Sequence, residues 1–313
     1  LAGSALCASA TSVTTLLAGR LLQAVGAGAG AALVRTIARD AYGPDQLVRA
    51  IAYLTMFYTL GPMIAPIAGG LLIDAFGWRS VFGFALAAGG AITLGAYLAI
   101  WETRPPAARA AAPVTNPFSD LGALFSNLRF TCFVLQTGFN TGAFFVAASA
   151  SSILMKETLN RPASEFGFWF LCFPLGFLTG NFVSSRIGPA ARNEDMVLIG
   201  ATLAMFGVLL QAGLFLGGLV TPLTIFLPGF VITFAQGISL PYGQAGAISA
   251  VPRIAGTASG VGIAVQNLVG ASFAQLFGAL ADGTVVPIVI ATCLSAGLGL
   301  LIAVPPVLAR ARA

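Results

Sequence analysis

Histidine is absent from this 313-residue chain, charged residues make up only 8% of it, and just four cysteines occur. Each scarcity excludes something. A membrane-embedded enzyme needs metal-binding acids or histidines at mid-depth, and the apolar runs hold none, so neither an enzyme, nor catalytic residues, nor a metal site is expected. Cys7, Cys132, Cys172 and Cys293 each lie alone in an apolar run without disulfide or metal spacing, and they read as small packing residues. No GxxxxGK[ST] phosphate loop is present, so the chain carries no ATP engine of its own. Charge this sparse cannot clothe a soluble surface. Hydrophobic residues reach 58% and the mean hydropathy is +0.93, which defines an all-α polytopic membrane protein whose first partner is the lipid bilayer. The net charge of +5 comes with no basic cluster away from the span ends, which argues against nucleic acid.

Apolar runs long enough to cross a bilayer occur at 15–37, 48–72 and 79–101, then at 129–154, 166–185, 196–216, 222–242, 256–279 and 285–308. Residues 1–11 are apolar but too short to span, and read as the tail of a cut helix. The only long break in the pattern, 102–127, is polar and rich in Pro and Ala, and its end at 116–127 reads as a short amphipathic interface helix. The expected domains are therefore 1–101, a remnant of an N-terminal helical bundle; the linker 102–127; and 128–313, a six-helix bundle. If the linker joins equal halves, about two and a half helices precede residue 1, giving the six-plus-six plan of many secondary transporters. Eleven of the 15 basic residues fall on one side of the membrane. This positive-inside bias predicts a cytoplasmic linker and C-terminus.

Three features within the spans carry chemistry. Arg20 stands a quarter of the way into 15–37, where a cation costs about 2.5–3.5 kcal/mol at full depth and less nearer the surface. It either snorkels to the surface or faces an interior cavity and lowers the pKa of a nearby carboxylate. In 48–72, Gly61, Ala65 and Gly69 are four apart and form a stripe for close helix contact, while Pro62 and Pro66 remove donors and bend the helix. Polar and aromatic residues inside spans are candidates to line a cavity: Gln23, Tyr53, Met56, the pair Gln136 and Asn140 with Phe144 a turn further, Gln236 and Gln266. Interhelical hydrogen bonding accounts for the amides equally well. The aromatic run Phe166, Phe168, Trp169 and Phe173 reads as interface belt and core.

The order Arg20-x-x-Gln23-x-x-Gly26, followed by Gly61-x-x-x-Ala65-Pro66-x-x-Gly69-Gly70, resembles two motifs of the major facilitator superfamily. The second is similar to the fifth-helix motif of proton-coupled drug antiporters, with Ala65 where glycine is usual. Arg35-Thr-Ile-Ala-Arg39-Asp40-Ala-Tyr42, Trp78-Arg79 and Ala255-Gly256-Thr257-Ala258-Ser259 are similar to Bcr/CflA-type drug exporters. The resemblance implies two six-helix bundles that rock about a midplane cavity and export small apolar or amphipathic drug-like molecules in exchange for protons. It implies a monomer in a bacterial inner membrane, with the proton gradient as energy source and no cofactor. Arg20 would couple proton and substrate, and Gly61–Gly70 would hold the halves together on the outer side. Arg35, Arg39, Asp40 and Arg186 would form a cytoplasmic gate. The loop Asn181-Phe-Val-Ser184-Ser185-Arg186-Ile-Gly188 keeps the arginine and glycine of its family motif but has serine for the acid. All ten acids lie at span ends or in loops, so the proton-carrying carboxylate is expected in helices preceding residue 1. Rival expectations are a facilitator that moves a metabolite such as a sugar or amino acid, and an inactive fragment.

Overall fold

A computed structural model describes residues 1–99, 121–188 and 191–311, without the side chains of 29, 31–36, 38–59, 255–256 and 309–311. Most of the linker, and the side chains of Arg35, Arg39, Asp40, Tyr53 and Met56, lie outside the described residues. The chain forms two compact units, Leu1–Val114 with Pro162–Phe168, and Thr115–Arg161 with Trp169–Ala313.

The first unit is built from α1 (Ala2–Ala8), α2 (Val13–Phe76) and α3 (Arg79–Ala99). Ser12 caps α2 by accepting from the Thr15 N–H at 3.1 Å, and Gly77, at φ +78°, ends it. The two apolar runs at 15–37 and 48–72, expected as separate spans, are thus joined in one uninterrupted helix. Of the ten residues that join them, only Gly43 and Pro44 strongly oppose helix, while Ala38, Arg39, Ala41, Gln46 and Leu47 favour it. A helix of 64 residues rises about 96 Å, some three times the hydrocarbon thickness, so α2 still holds two membrane lengths about a charged middle. Small residues let α1 sit close on α2: a Cβ on Gly3 would lie 2.6 Å from the Gly19 carbonyl and the Gln23 nitrogen. Arg79 donates from Nη2 to the Ala10 carbonyl at 2.9 Å and lies over the Trp78 ring at 4.3 Å. The Trp-Arg pair thereby ties the start of α3 to the end of α1.

The second unit contains α4 (Leu121–Ser126), α5 (Leu128–Ile153, continued by a π-turn over Leu154–Thr158), α7 (Cys172–Ile187), α8 (Asn193–Leu216), α9 (Pro222–Ala250), α10 (Ala255–Leu280) and α11 (Val286–Ala311). The intervening α6 (Ala163–Phe170) begins in the first unit and is separated from α7 at Leu171. Pro174 explains the break, because it offers no N–H to the Phe170 carbonyl and its ring crowds that oxygen. All six spans expected after the linker are present as Leu128–Thr158, Ala163–Ile187, Asn193–Leu216, Pro222–Ala250, Thr257–Leu280 and Val286–Leu308, and Arg79–Ala99 is a seventh of membrane-crossing length. The interface helix expected at 116–127 is only α4 among the described residues. Its Leu124 is fully buried in the core of this unit, and Asn127 caps α5 by accepting from the Phe130 N–H at 3.0 Å.

Helix α5 packs on α9, α10 and α11, while α9 also receives α7 and α8. Close approach again depends on missing side chains. On α7, Gly176 and Gly180 face the Phe230 and Phe234 carbonyls of α9, and Gly237 of α9 faces the Phe177 carbonyl. A Gly-x-x-x-Gly face lets two backbones meet where lipid supplies no hydrophobic drive between helices.

Candidate functional site

Helix α5 carries polar side chains on two adjacent faces. Gln136 and Asn140 share one face; Thr137 and Thr141 share the next, about 100° further round. The first face is enclosed. Asn140 donates from Nδ2 to Ser239 Oγ of α9 at 2.8 Å. Gln136 is completely buried, and neither its Oε1 nor its Nε2 has a hydrogen-bond partner. Both residues were cavity candidates; the structure places them inside the bundle. The second face carries the network. Thr141 Oγ1 accepts from Gln236 Nε2 of α9 at 3.0 Å and from Gln266 Nε2 of α10 at 3.1 Å. Gln266 Oε1 in turn faces Gln244 Nε2 of α9 at 3.4 Å. A cavity of about 20 Å³, enough for one water, lies against Thr137, Gln244, Ser259 and Gln266. Two predicted residues, Gln236 and Gln266, therefore meet on Thr141. Sequence reasoning passed over Thr137, Thr141 and Gln244, although the i, i+4 threonines beside an i, i+4 amide pair were a visible sign. Phe144 is half-buried and packs edge-on against Phe173 at 5.6 Å. Trp169 stacks on Phe226. The aromatic run is thus partly core, while Phe168 is exposed.

In the first unit, Arg20 is exposed and donates from Nη1 to Gln23 Oε1 at 2.8 Å; Gln23 Nε2 donates to Ser4 Oγ at 2.9 Å. These three residues form a polar chain across α1 and α2. The Gly61–Gly70 segment of α2 makes its close contact through a stripe one residue on from the expected one. Gly61 and Gly69 face open space and Ala65 is exposed. Instead, a Cβ on Gly70 would fall on the Ala163 carbonyl of α6, and one on Gly167 would lie 2.5 Å from the Pro66 carbonyl and 2.9 Å from Ile67 Cα. Pro66, Gly70 and Asp74, spaced by four, face α6. Pro62 is exposed.

Asp74, two residues past the apolar run, caps α6. Its Oδ1 accepts from the Ala163 N–H at 3.1 Å and its Oδ2 from the Ser164 N–H at 2.9 Å. The Ser164 hydroxyl, then the Ser164 N–H, hold its carboxyl below the usual carboxylate range against the opposing effect of burial, with a lesser contribution from the Ala163 N–H.

At the opposite end of α7, the Tyr242 hydroxyl lies 3.2 Å from the Ser184 carbonyl and 2.8 Å from the Gly188 carbonyl. Gly188, at φ +57°, is the C-cap of α7. Arg186 lies over the Phe182 ring at 4.9 Å. The acid missing from the 181–188 loop has a counterpart nearby: Arg129 of α5 pairs with the buried Glu194 of α8. That pair lines a cleft of about 780 Å³ with Ser184, Ser185, Arg192 and Tyr242.

Membrane-length helices, backbones brought together on glycine and a polar seam within one bundle define a polytopic membrane protein. The sequence profile of the Major Facilitator Superfamily matches residues 1–275, and the chain belongs to that superfamily. Similar proteins include multidrug resistance protein D of Escherichia coli strain K12 (28% identical over 82% of this chain and 64% of that one). An uncharacterised MFS-type transporter, YdgK, of Bacillus subtilis is 28% identical over 70% of this chain and 55% of that one. A bicyclomycin resistance protein homologue of Haemophilus influenzae is 24% identical over 88% and 69%. The chain thus spans 55–69% of the length of these relatives. The fold resembles the crystal structure of a bacterial homologue of the human lysosomal transporter Spinster, inward-facing and unoccupied. Its TM-score is 0.67 at 19% identity, over 96% of this chain and 76% of that one.

Proposed function

We propose that this protein is a Bcr/CflA-type exporter that moves small apolar or amphipathic drug-like molecules out of a bacterial cell in exchange for protons. The observation that carries the reading is kinship: relatives named for multidrug and bicyclomycin resistance align over 82% and 88% of the chain. The seam on Thr141, Gln236 and Gln266 is the second unit's contribution to the substrate path. The clasp of Pro66, Gly70 and Asp74 on α6 lies on the outer side, and the Arg129–Glu194 cleft on the cytoplasmic side with the C-terminus. The protein works as a monomer in the inner membrane, without a cofactor, driven by the proton gradient.

Arg20 couples proton and substrate. A guanidinium within an apolar run is costly, and its amide partner Gln23, itself anchored on the Ser4 hydroxyl, holds it in place. It lowers the pKa of the carboxylate that carries the proton. Export of a fluorescent drug from proteoliposomes under an imposed pH gradient tests this in the intact gene product. Arg20→Ala is expected to abolish gradient-driven export, while Arg20→Lys retains part of it. Unchanged export in Arg20→Ala removes the coupling role.

A further inference from the structure

The Thr141 network has a direction. The Thr141 hydroxyl donates to the Thr137 carbonyl at 2.8 Å, so its one hydrogen is committed. Toward Gln236 and Gln266 it acts only as an acceptor, and both glutamines must turn their NH₂ groups to it. The network, not a free choice of rotamer, sets which way each amide points. Gln266 Oε1 is thereby turned toward Gln244 Nε2. One N–H of each amide is spent within the relay, and the two amide oxygens at its ends, Gln236 Oε1 and Gln244 Oε1, receive no hydrogen bond from the described residues. Gln244 is exposed, and Gln244 and Gln266 border the small cavity. The surroundings are uncharged: α9 and α10 contain no acid or base, and α5 contains only Arg129, in its first turn.

Resting on the transport reading above, we propose that this relay makes the second unit's part of the substrate path an acceptor surface. It selects uncharged molecules that bring N–H or O–H donors, and Thr141 is the positioning residue that fixes the selection. An anion finds no positive charge there and meets the outward amide oxygens. A cation finds no counter-charge. A neutral amide, sulfonamide or alcohol satisfies the oxygens that the relay leaves open.

The test uses two fluorescent probes of nearly equal shape, dansylamide, which has two N–H donors, and N,N-dimethyldansylamide, which has none. Binding is titrated by fluorescence to the intact gene product in detergent. One or two hydrogen bonds give dansylamide about a three- to tenfold tighter dissociation constant. Thr141→Val removes the acceptor and frees both amides to turn, so the ratio falls to within about twofold; Thr141→Ser keeps it. If Thr141→Val fails to fold, Gln244→Met, at an exposed position, lowers the ratio instead. Equal binding of both probes to the wild type, a ratio unmoved in these variants, or no binding of either probe overturns the proposal. Selective binding without gradient-driven export leaves the relay standing and sinks the transport reading. Export that treats the probes alike does the reverse.

Discussion

Asp74, near the end of α2, accepts the backbone N–H of Ser164 at the start of α6, 90 residues away in sequence, at 2.9 Å. With Ala163 on its other oxygen, one carboxylate satisfies two of the orphan donors of a helix N-terminus, where negative charge is also favoured by the dipole. Asp74→Ala is expected to release the first turn of α6, seen as faster amide exchange over residues 163–167 with little change elsewhere in α2. Asp74→Asn, which keeps one acceptor but no charge, gives an intermediate effect. Equal exchange in the wild type and Asp74→Ala removes the cap.

The pH dependence follows from the direction of the Asp74 shift. A carboxyl whose folded pKa is depressed contributes fully above its unfolded value and is lost as pH falls through the lower, folded value. After correction for intrinsic exchange, protection at Ala163 and Ser164 is expected to stay flat from about pH 8 to pH 5 and to decline only below about pH 4. Asp74 thus stays charged across the working range of a bacterial membrane, and a proton-exchange role for it is not expected. A midpoint near pH 6 in the wild type, absent from Asp74→Asn, contradicts this assignment.

The clasp beside Asp74 separates two stripes one residue apart. Gly70 meets the Ala163 carbonyl, and backbone has little room to yield, so Gly70→Ala forces α6 outward and costs about 1–3 kcal/mol as an overpacked contact. Gly61→Ala and Gly69→Ala face open space and leave thermal stability near the wild type. Equal effects at Gly69 and Gly70 in a thermal melt in detergent refute the assignment of the face.

This stripe shows what the sequence made legible. The six later spans were readable because crossing a bilayer sets a minimum apolar length, and length survives without any knowledge of partners. The small-residue pattern at 61–70 announced a close contact but not its face, since Gly61-x-x-x-Ala65-x-x-x-Gly69 and Pro66-x-x-x-Gly70-x-x-x-Asp74 overlap in one segment. Asp74 looked like any other acid at a span end or in a loop, because its partners, the Ala163 and Ser164 N–H groups, are backbone groups that no side-chain pattern records. Gln136 and Gln266 looked alike in sequence, as amides inside apolar runs. Only the packing of α5 shows that one is sealed and the other lies beside a cavity. Thr141 went unnoticed because a threonine in a helix satisfies its own hydroxyl on the carbonyl four residues back, as it does here on Thr137.

Gln136 itself gives a prediction of opposite sign to most core substitutions. Its amide is fully enclosed and unpaired at both ends, and an unsatisfied buried amide costs about 1–3 kcal/mol. Gln136→Met keeps the length and removes the unpaired atoms, so it is expected to leave the protein as stable as the wild type or to raise its melting temperature. Gln236 and Gln266, whose NH₂ groups are used, should lose stability on the same change. A lowered melting temperature for Gln136→Met shows that the amide is satisfied after all.

Arg129 and Glu194 form the last test. Glu194 is 4% exposed, whereas the Arg129 side chain is 57% exposed. The two ends of the pair are therefore unequal, and so are the expected consequences of removing each. Arg129→Ala leaves a carboxylate buried without its cation. Breaking a fully buried pair in that way costs about 3–5 kcal/mol. Because water reaches the arginine side of this one, the loss is expected at or below the bottom of that range. Glu194→Gln keeps the shape and a hydrogen-bond acceptor while removing the buried charge, and it leaves only a solvated arginine behind, so its cost is smaller. The double variant Arg129→Ala with Glu194→Gln should recover part of the loss seen in Arg129→Ala alone, since no unpaired charge then remains in the core. Melting temperatures of the three variants measure the coupling directly. Strict additivity, with the double variant as unstable as the sum of the singles, shows that the two side chains do not depend on each other.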